Sequence, residues 1–256
     1  MYDDTCRFLA ENFSADFASW LLGEPITLTE LKPSELSLEP IRADALILLQ
    51  SEESILHLEF QTQPKPDIPF RMLDYRVRVY RRYPDKGMRQ VVIYLQPTGS
   101  ERVRQTSFTL ERTRHEFDVI CLWEQPANFF LQYPGLLPFA ALGQTNDPEA
   151  TLRQVAQTVD QISDSITQAN LTAASAILAG IVLREEEIYR LLRRDIMQES
   201  SVYRSIKAEG KVETQREIAI NLLRRGVALD IIAPSTGLSV EELQQLQQQI
   251  AESSQA

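Results

Sequence analysis

Three polar residues interrupt two hydrophobic runs in the first quarter of the chain. Asp44 lies in the run 41–49 (IRADALILL), and Glu59 and Gln61 lie in the run 55–61 (ILHLEFQ). Both runs are typical of buried strands, where an unpaired carboxylate is costly. Carboxylate and amide oxygens held together in a strand pair are suited to Mg²⁺. The residue types therefore predict a divalent-cation site.

Strand geometry predicts how these residues meet. Side chains alternate between the two faces of a strand, so His57, Glu59 and Gln61 share one face. The linker 50–54 (QSEES) is short and polar, which predicts that the two strands pair as a hairpin. Such a hairpin would bring Asp44 close to Glu59.

Each polar residue also has a structural interpretation. Asp44 could instead be a buried carboxylate that pairs with Arg42 or Arg71. Glu59 could belong to a polar network that holds no metal. His57 could approach the cation site or be a hydrogen-bonded structural histidine. The residue types alone leave these alternatives open.

Charge is unevenly distributed along the chain. The net charge of -10 argues against a nonspecific nucleic-acid coat. The stretch 71–89 nevertheless carries a net charge of +5, because only Asp74 and Asp85 oppose seven basic residues. These are Arg71, Arg76, Arg78, Arg81, Arg82, Lys86 and Arg89. This stretch is either a surface that holds a polyanion near the cation site or a solvated helix face.

Other features restrict the class of protein. No apolar run reaches transmembrane length, and no signal-peptide core follows the acidic start 1–4 (MYDD). We therefore expect a cytoplasmic protein without a membrane partner. Cys6 and Cys121 are far apart and outside any CxxC motif, so we expect buried free thiols.

Hydrophobic periodicity divides the chain into three segments. Residues 1–145 predict an α/β core with a mixed sheet flanked by helices. Residues 146–225 show helical patterns only and predict an all-helical extension, and residues 226–256 predict a small helix-turn-helix-like unit. Besides the two runs above, the patterns predict helices at 4–22, 70–83, 148–162, 172–183, 185–197 and 197–225, and strands at 35–39, 90–95, 106–110 and 116–123.

The C-terminal unit has clear helix signals. Gly237 suits a turn between two helices, and Ser239 with Glu242 forms a capping-box pattern. The second helix, 239–246, has no Lys or Arg, whereas a recognition helix in the major groove normally brings basic residues. We therefore favour a packing module, or a homo-oligomer formed through the C-terminal helices, over specific DNA reading.

These motifs together resemble a known nuclease family. Asp44 with the later run Glu59-Phe60-Gln61 resembles the PD-(D/E)XK nuclease motif. The runs 69–76 (PFRMLDYR) and 90–95 (QVVIYL) resemble the Rpn (recombination-promoting nuclease / putative transposase) family, and the tail 232–239 (IAPSTGLS) is similar to tails in that group. The resemblance implies a restriction-endonuclease-like fold and magnesium-dependent DNA hydrolysis linked to recombination or mobile elements.

The resemblance also implies roles for individual residues. Asp44 and Glu59 would bind Mg²⁺, for which Mn²⁺ could substitute, and Gln61 stands where the family pattern more often has lysine. An acidic residue of the first helix, Asp4 or Glu11, would complete the site, since the two share a helix face.

Basic residues of the next helix would contact DNA, and we select Arg71, Arg78 and Arg82. For Arg71 the alternative is a surface ion pair. Because Gln61 is uncharged, the alternative function is a weak or inactive nuclease-fold protein that acts in DNA binding or self-association.

Overall fold

The computed structural model describes residues 2–31 and 46–253. The chain divides into two compact units, which meet in sequence between Tyr203 and Arg204. Asp44 and Arg42, together with the predicted strand at 35–39, lie outside the described residues.

The first unit contains eight α-helices and seven strands in the described ranges, and a ninth α-helix begins at its end. The helices are α1 (Tyr2–Asn12), α2 (Ser14–Leu22), α3 (Ile68–Arg82), α4 (Ala127–Phe130), α5 (Pro148–Val159), α6 (Ser165–Ala179), α7 (Glu185–Leu191), α8 (Arg194–Glu199) and α9 (Ser201–Arg224). The strands are β1 (Thr29–Glu30), β2 (Leu46–Gln50), β3 (Ser54–Gln61), β4 (Gly87–Tyr94), β5 (Ser107–Leu110), β6 (Thr113–Glu116) and β7 (Asp118–Cys121).

A five-stranded mixed sheet forms the centre of this unit, in the order β1-β2-β3-β4-β7. β1, β2 and β3 pair antiparallel, whereas β3, β4 and β7 pair parallel. The predicted hairpin is confirmed, and Leu46 is the partner of Glu59 across it. On its other side, Glu59 lies opposite Val92 and Gln61 opposite Tyr94. Helix α3 makes the crossover that a parallel β3–β4 pair requires.

The two faces of β3 differ in character, as its alternating sequence predicts. Leu56, Leu58 and Phe60 belong to the main hydrophobic core. In that core the ring of Phe60 stacks on Phe139 with centroids 5.8 Å apart. The polar side chains of β3 lie on the opposite face, which α3 covers.

The helices after residue 146 complete the same core. Leu152 of α5, Leu171 of α6 and Met197 of α8 are buried in it together with the apolar face of β3. Helices α5, α6 and α8 therefore share one hydrophobic core with the sheet of the first unit. The division into three sequence segments stays a prediction.

Several predicted elements are divided in the structure. The helix predicted at 4–22 becomes α1 and α2, because Phe13 leaves helical geometry with φ −124° and ψ 39°. The helix predicted at 185–197 becomes α7 and α8, since Leu192 adopts an extended conformation. The strand predicted at 116–123 is divided at Phe117, whose N–H donates to the carbonyl of Thr106 at 2.9 Å. Such single-residue breaks do not change the spacing of the hydrophobic residues, so the sequence pattern does not predict them.

The cysteines agree with their prediction. Cys6 and Cys121 are buried free thiols. Burial raises the pKa of both thiols, so both stay protonated near neutral pH. Among the helices that the structure describes, none combines the length and the apolar character that crossing a bilayer requires.

The second unit contains the rest of α9, together with α10 (Leu229–Thr236) and α11 (Val240–Ser253). Its core is formed by Ala219, Ile232, Leu238 and Leu243. Between α10 and α11, Gly237 adopts a left-handed conformation with φ +75°, which glycine tolerates without strain. The predicted turn between two helices is confirmed.

The predicted capping box at the start of α11 is also present. The Ser239 hydroxyl accepts from the Glu242 N–H at 3.2 Å, and the Glu242 carboxylate accepts from the Ser239 N–H at 2.8 Å. We expect Ser239→Ala to destabilise α11 by about 1 kcal/mol, because one end of this box is lost. Hydrogen exchange of the α11 amides measures the effect. Ser235→Ala, on the exposed end of α10, is the control, and equal exchange in both variants would contradict the role of the cap.

Candidate functional site

Glu59 is a fully buried carboxylate with a cationic partner. Its Oε1 lies 2.7 Å from Nη2 of Arg71, which reaches across from α3. Burial lowers the pKa of Arg71, but Glu59, Tyr75 and Asp67 together outweigh burial and raise this pKa, so the guanidinium stays charged. Arg71 is 22% exposed and Glu59 is 0% exposed, so the arginine connects the buried carboxylate with the surface.

The two oxygens of Glu59 are used unequally. Oε1 accepts from Arg71 and also from the Gln61 amide Nε2 at 3.1 Å. Oε2 is buried and has no hydrogen-bond partner among the described residues. His57 Nε2 lies 3.7 Å from Oε2. Buried oxygens are rarely left without a partner, so Oε2 requires an explanation.

A hard divalent cation is one such explanation. A free carboxylate oxygen next to an amide is the donor type that Mg²⁺ prefers. Within residues 2–31 and 46–253, no three His, Cys, Asp or Glu side chains cluster closely enough to hold a metal. The predicted partner ligand, Asp44, lies outside those ranges. The described part of the chain therefore supplies one half of the predicted carboxylate pair.

The Glu59 carboxylate affects an acid of the first helix that was not selected from the sequence, Asp3. Burial raises the pKa of the Asp3 carboxyl, and the nearby carboxylates of Asp4 and Glu59 raise it further. Burial and the Glu30 carboxylate raise the pKa of Glu11, against the opposite effect of Arg7, with which Glu11 forms an ion pair at 3.8 Å. The role of Asp4 or Glu11 stays a prediction. The acidic first turn of α1 was the sequence signal for Asp3, whereas the prediction of Asp4 or Glu11 rested on their shared helix face.

The selected arginines have different environments. Arg71 contacts buried Glu59, which replaces the predicted alternative of a surface ion pair. Arg78 donates to Asp74 at 2.9 Å on the same helix. The guanidinium of Arg82 lies 5.9 Å from the ring centroid of Tyr83.

A glutamine that was not selected from the sequence lies behind the site. Gln90 is the β4 partner of His57 and is 4% exposed. Its amide contacts His57 Nδ1 at 2.9 Å, the Met72 carbonyl at 2.7 Å and His115 Nε2 at 2.7 Å. The only signal in the sequence that could have identified Gln90 was its position as a polar residue at the start of a strongly hydrophobic strand. The chain of polar contacts thus runs from Glu59 through His57 and Gln90 to His115.

The C-terminal unit supplies the comparison with known proteins. Residues 212–248 match the model of the Rpn/YhgA-like nuclease family, C-terminal HTH domain. The resemblance to the Rpn family is thus confirmed for the C-terminal unit. The match covers the end of α9, all of α10 and part of α11, so the C-terminal helices fit an HTH domain. No curated protein and no solved structure matches the chain.

The Rpn/YhgA-like nuclease assignment of this domain suggests a nuclease or transposase-like role, and an HTH domain suggests binding to DNA. Because the match begins at residue 212, it does not extend to Glu59 or Arg71. Helix α11 begins with Glu241 and Glu242 after its cap and has no Lys or Arg. Any Lys or Arg contact from this domain to a DNA phosphate would therefore come from outside α11.

Proposed function

We propose that this chain is a magnesium-dependent DNA endonuclease, linked to recombination or mobile elements, whose first unit is a restriction-endonuclease-like core. The observation that carries the proposal is the buried Glu59 carboxylate, whose Oε2 has no hydrogen-bond partner in the described chain. The C-terminal match to a nuclease family supports the same assignment. The mixed sheet with α3 across one face is compatible with the proposed core.

The metal ligands in this proposal are Asp44 and Glu59. Leu46 pairs with Glu59 across the hairpin, and the proposal requires Asp44, two residues earlier in the sequence, to approach the Glu59 carboxylate. The Glu59 carboxylate raises the pKa of Asp3, a first-helix acid, and we propose Asp3 as a candidate for the third acid beside Asp4 and Glu11. Bound Mg²⁺, or Mn²⁺ in its place, would neutralise phosphate charge and lower the pKa of a bound water.

The protein groups around Glu59 would prepare the site for this chemistry. Gln61 holds Oε1 through its amide N–H, which leaves Oε2 directed away from that contact. Arg71 supplies the positive charge that Gln61 lacks, because its guanidinium contacts the same carboxylate. Arg71 is also partly exposed, and a guanidinium binds phosphate through the same N–H groups that bind carboxylate. We propose that Arg71 contacts the DNA phosphate next to the metal, with Arg78 and Arg82 farther along α3.

A plasmid-nicking assay tests the function. The unaltered chain should nick supercoiled DNA with Mg²⁺ and lose this activity in EDTA. Asp44→Ala and Glu59→Ala should both lose it, whereas Glu124→Ala, which changes an exposed carboxylate of the same unit, should retain it. Cleavage that persists in both of the first two variants would contradict the proposed site.

We expect Gln61→Lys to increase the cleavage rate. An ammonium group at this position adds the charge that the family pattern more often provides, and such a group contributes roughly 10²–10³ in rate when it is well placed. Because Arg71 already brings one cation to Glu59, the gain should fall at or below the lower end of that range. Single-turnover nicking rates measure it. Gln61→Met, which removes the amide and adds no charge, is the control, and no gain in Gln61→Lys would contradict this account of Gln61.

A weak or inactive nuclease-fold protein is the second candidate. It is favoured by the complete burial of Glu59 and by the neutral side chain at position 61. Such a protein would bind DNA, or self-associate through its C-terminal helices, without cleavage. DNA retardation together with absent nicking in both Mg²⁺ and Mn²⁺ would support it.

A further inference from the structure

The orientation of the Gln90 side chain is fixed by a backbone group. Its Nε2 lies 2.7 Å from the carbonyl oxygen of Met72, and a carbonyl oxygen can only accept a hydrogen bond. The nitrogen end of the amide must therefore face Met72. The oxygen end then faces His115, whose Nε2 donates to it at 2.7 Å.

This orientation determines where the proton of His57 resides. The same Gln90 Nε2 lies 2.9 Å from His57 Nδ1, and an amide nitrogen can only donate. Nδ1 therefore accepts, and the neutral ring carries its hydrogen on Nε2. That N–H is directed toward the Glu59 side, where Oε2 lies 3.7 Å away. Neither atom has a hydrogen-bond partner among the described residues.

We infer that His57 is a positioning residue for Glu59 and not a metal ligand, an inference that rests on the proposed function of Glu59. The nitrogen that faces the carboxylate carries a hydrogen, so it has no lone pair to offer a cation. If either side chain moved by less than about 1 Å toward the other, this N–H would come within hydrogen-bond distance of Glu59 Oε2. The ring of Tyr75 packs edge-to-face on His57 with centroids 5.2 Å apart and restricts rotation of the imidazole.

Polar groups lie at both ends of the Glu59 carboxylate. Arg71 and Gln61 hold Oε1, and the His57 N–H faces Oε2 from the opposite side. A carboxylate oxygen keeps a second lone pair when it accepts one hydrogen bond, so Oε2 remains able to bind a cation. Groups that orient a metal ligand in this way typically change metal affinity by about 10–100-fold.

Nitrogen-15 NMR of the histidine rings tests the proton position in the unaltered, metal-free chain. The chain has two histidines, so the spectrum of His57→Gln assigns both rings. We expect the His57 hydrogen on Nε2 and an unprotonated Nδ1. A hydrogen on Nδ1 would overturn the inference, because the ring would then present a lone pair to Glu59.

Mn²⁺ binding, followed by electron paramagnetic resonance, tests the effect on the metal site. His57→Leu should bind Mn²⁺ about 10–100-fold more weakly than the unaltered chain. His57→Gln should recover part of the loss, because its amide can donate to Oε2, and a purely structural role would not produce this recovery. Leu110→Ala, on the exposed end of β5, is the control.

The outcomes separate the two proposals. Equal Mn²⁺ affinity in His57→Leu and the unaltered chain would overturn the positioning role and leave the metal site standing. Absence of Mn²⁺ binding by the unaltered chain would overturn the metal site and the positioning role together. If His57→Leu does not fold, the NMR measurement still decides the inference, since it uses the unaltered chain.

Discussion

Glu59→Gln is expected to reduce Mg²⁺-dependent cleavage at least about 10²-fold while the chain stays folded. The glutamine has the same shape as Glu59, and its amide oxygen can still accept from Arg71 and Gln61. The change removes the negative charge and replaces one oxygen with an N–H₂ group, which cannot bind a cation. Single-turnover nicking measures the cleavage rate. Electron paramagnetic resonance of Mn²⁺ measures the accompanying loss of metal affinity.

The matched control for this variant is Glu116→Gln. Glu116 lies on β6, is largely exposed and pairs with Arg114 at 2.8 Å. The control makes the same chemical change and should keep the full cleavage rate. A Glu59→Gln variant that cleaves DNA as fast as Glu116→Gln would remove Glu59 from the catalytic site.

Arg71→Leu is expected to lower the free energy of unfolding by about 3 kcal/mol. The change leaves the buried Glu59 carboxylate without its counter-ion, and breaking a buried ion pair from one side typically costs about 3–5 kcal/mol. We expect the lower end of this range, because Arg71 is 22% exposed and water can partly replace it. Urea unfolding measures the change.

Two further variants determine whether the loss comes from the carboxylate. In Arg71→Leu combined with Glu59→Gln, the uncompensated charge is gone, so most of the lost stability should return. Arg89→Leu, which breaks the exposed pair between Arg89 and Asp118, should cost less than about 1 kcal/mol. Equal losses in Arg71→Leu and the double variant would show that the charge of Glu59 is not the cause.

Local features of the candidate site could be read from the sequence. His57, Glu59 and Gln61 share a face because side chains alternate along any strand, whatever surrounds it. The short polar linker predicted the hairpin in which Glu59 pairs with Leu46. The turn at Gly237 and its capping box were predictable for the same reason, since both depend only on residues close together in the chain.

Partners distant in the chain could not be predicted in this way. Gln90 lies opposite His57 because β3 and β4 pair in parallel, and α3 separates the two strands in sequence. The register of such a pair depends on how the crossover helix packs, and no local pattern encodes it. The electrostatic effect of Glu59 on Asp3 has the same origin, because the position of α1 relative to the sheet is a result of core packing.

The sequence by itself determined that a carboxylate and an amide would share one face of a buried strand, because the direction of each side chain follows from the geometry of its own backbone. Only the tertiary structure decided which atoms those groups meet. It placed Arg71 and Gln61 on one oxygen of Glu59 and faced the other toward a histidine whose proton a distant glutamine fixes. Those contacts depend on how α3 and β4 pack against β3, and residues close together in the sequence do not determine that packing.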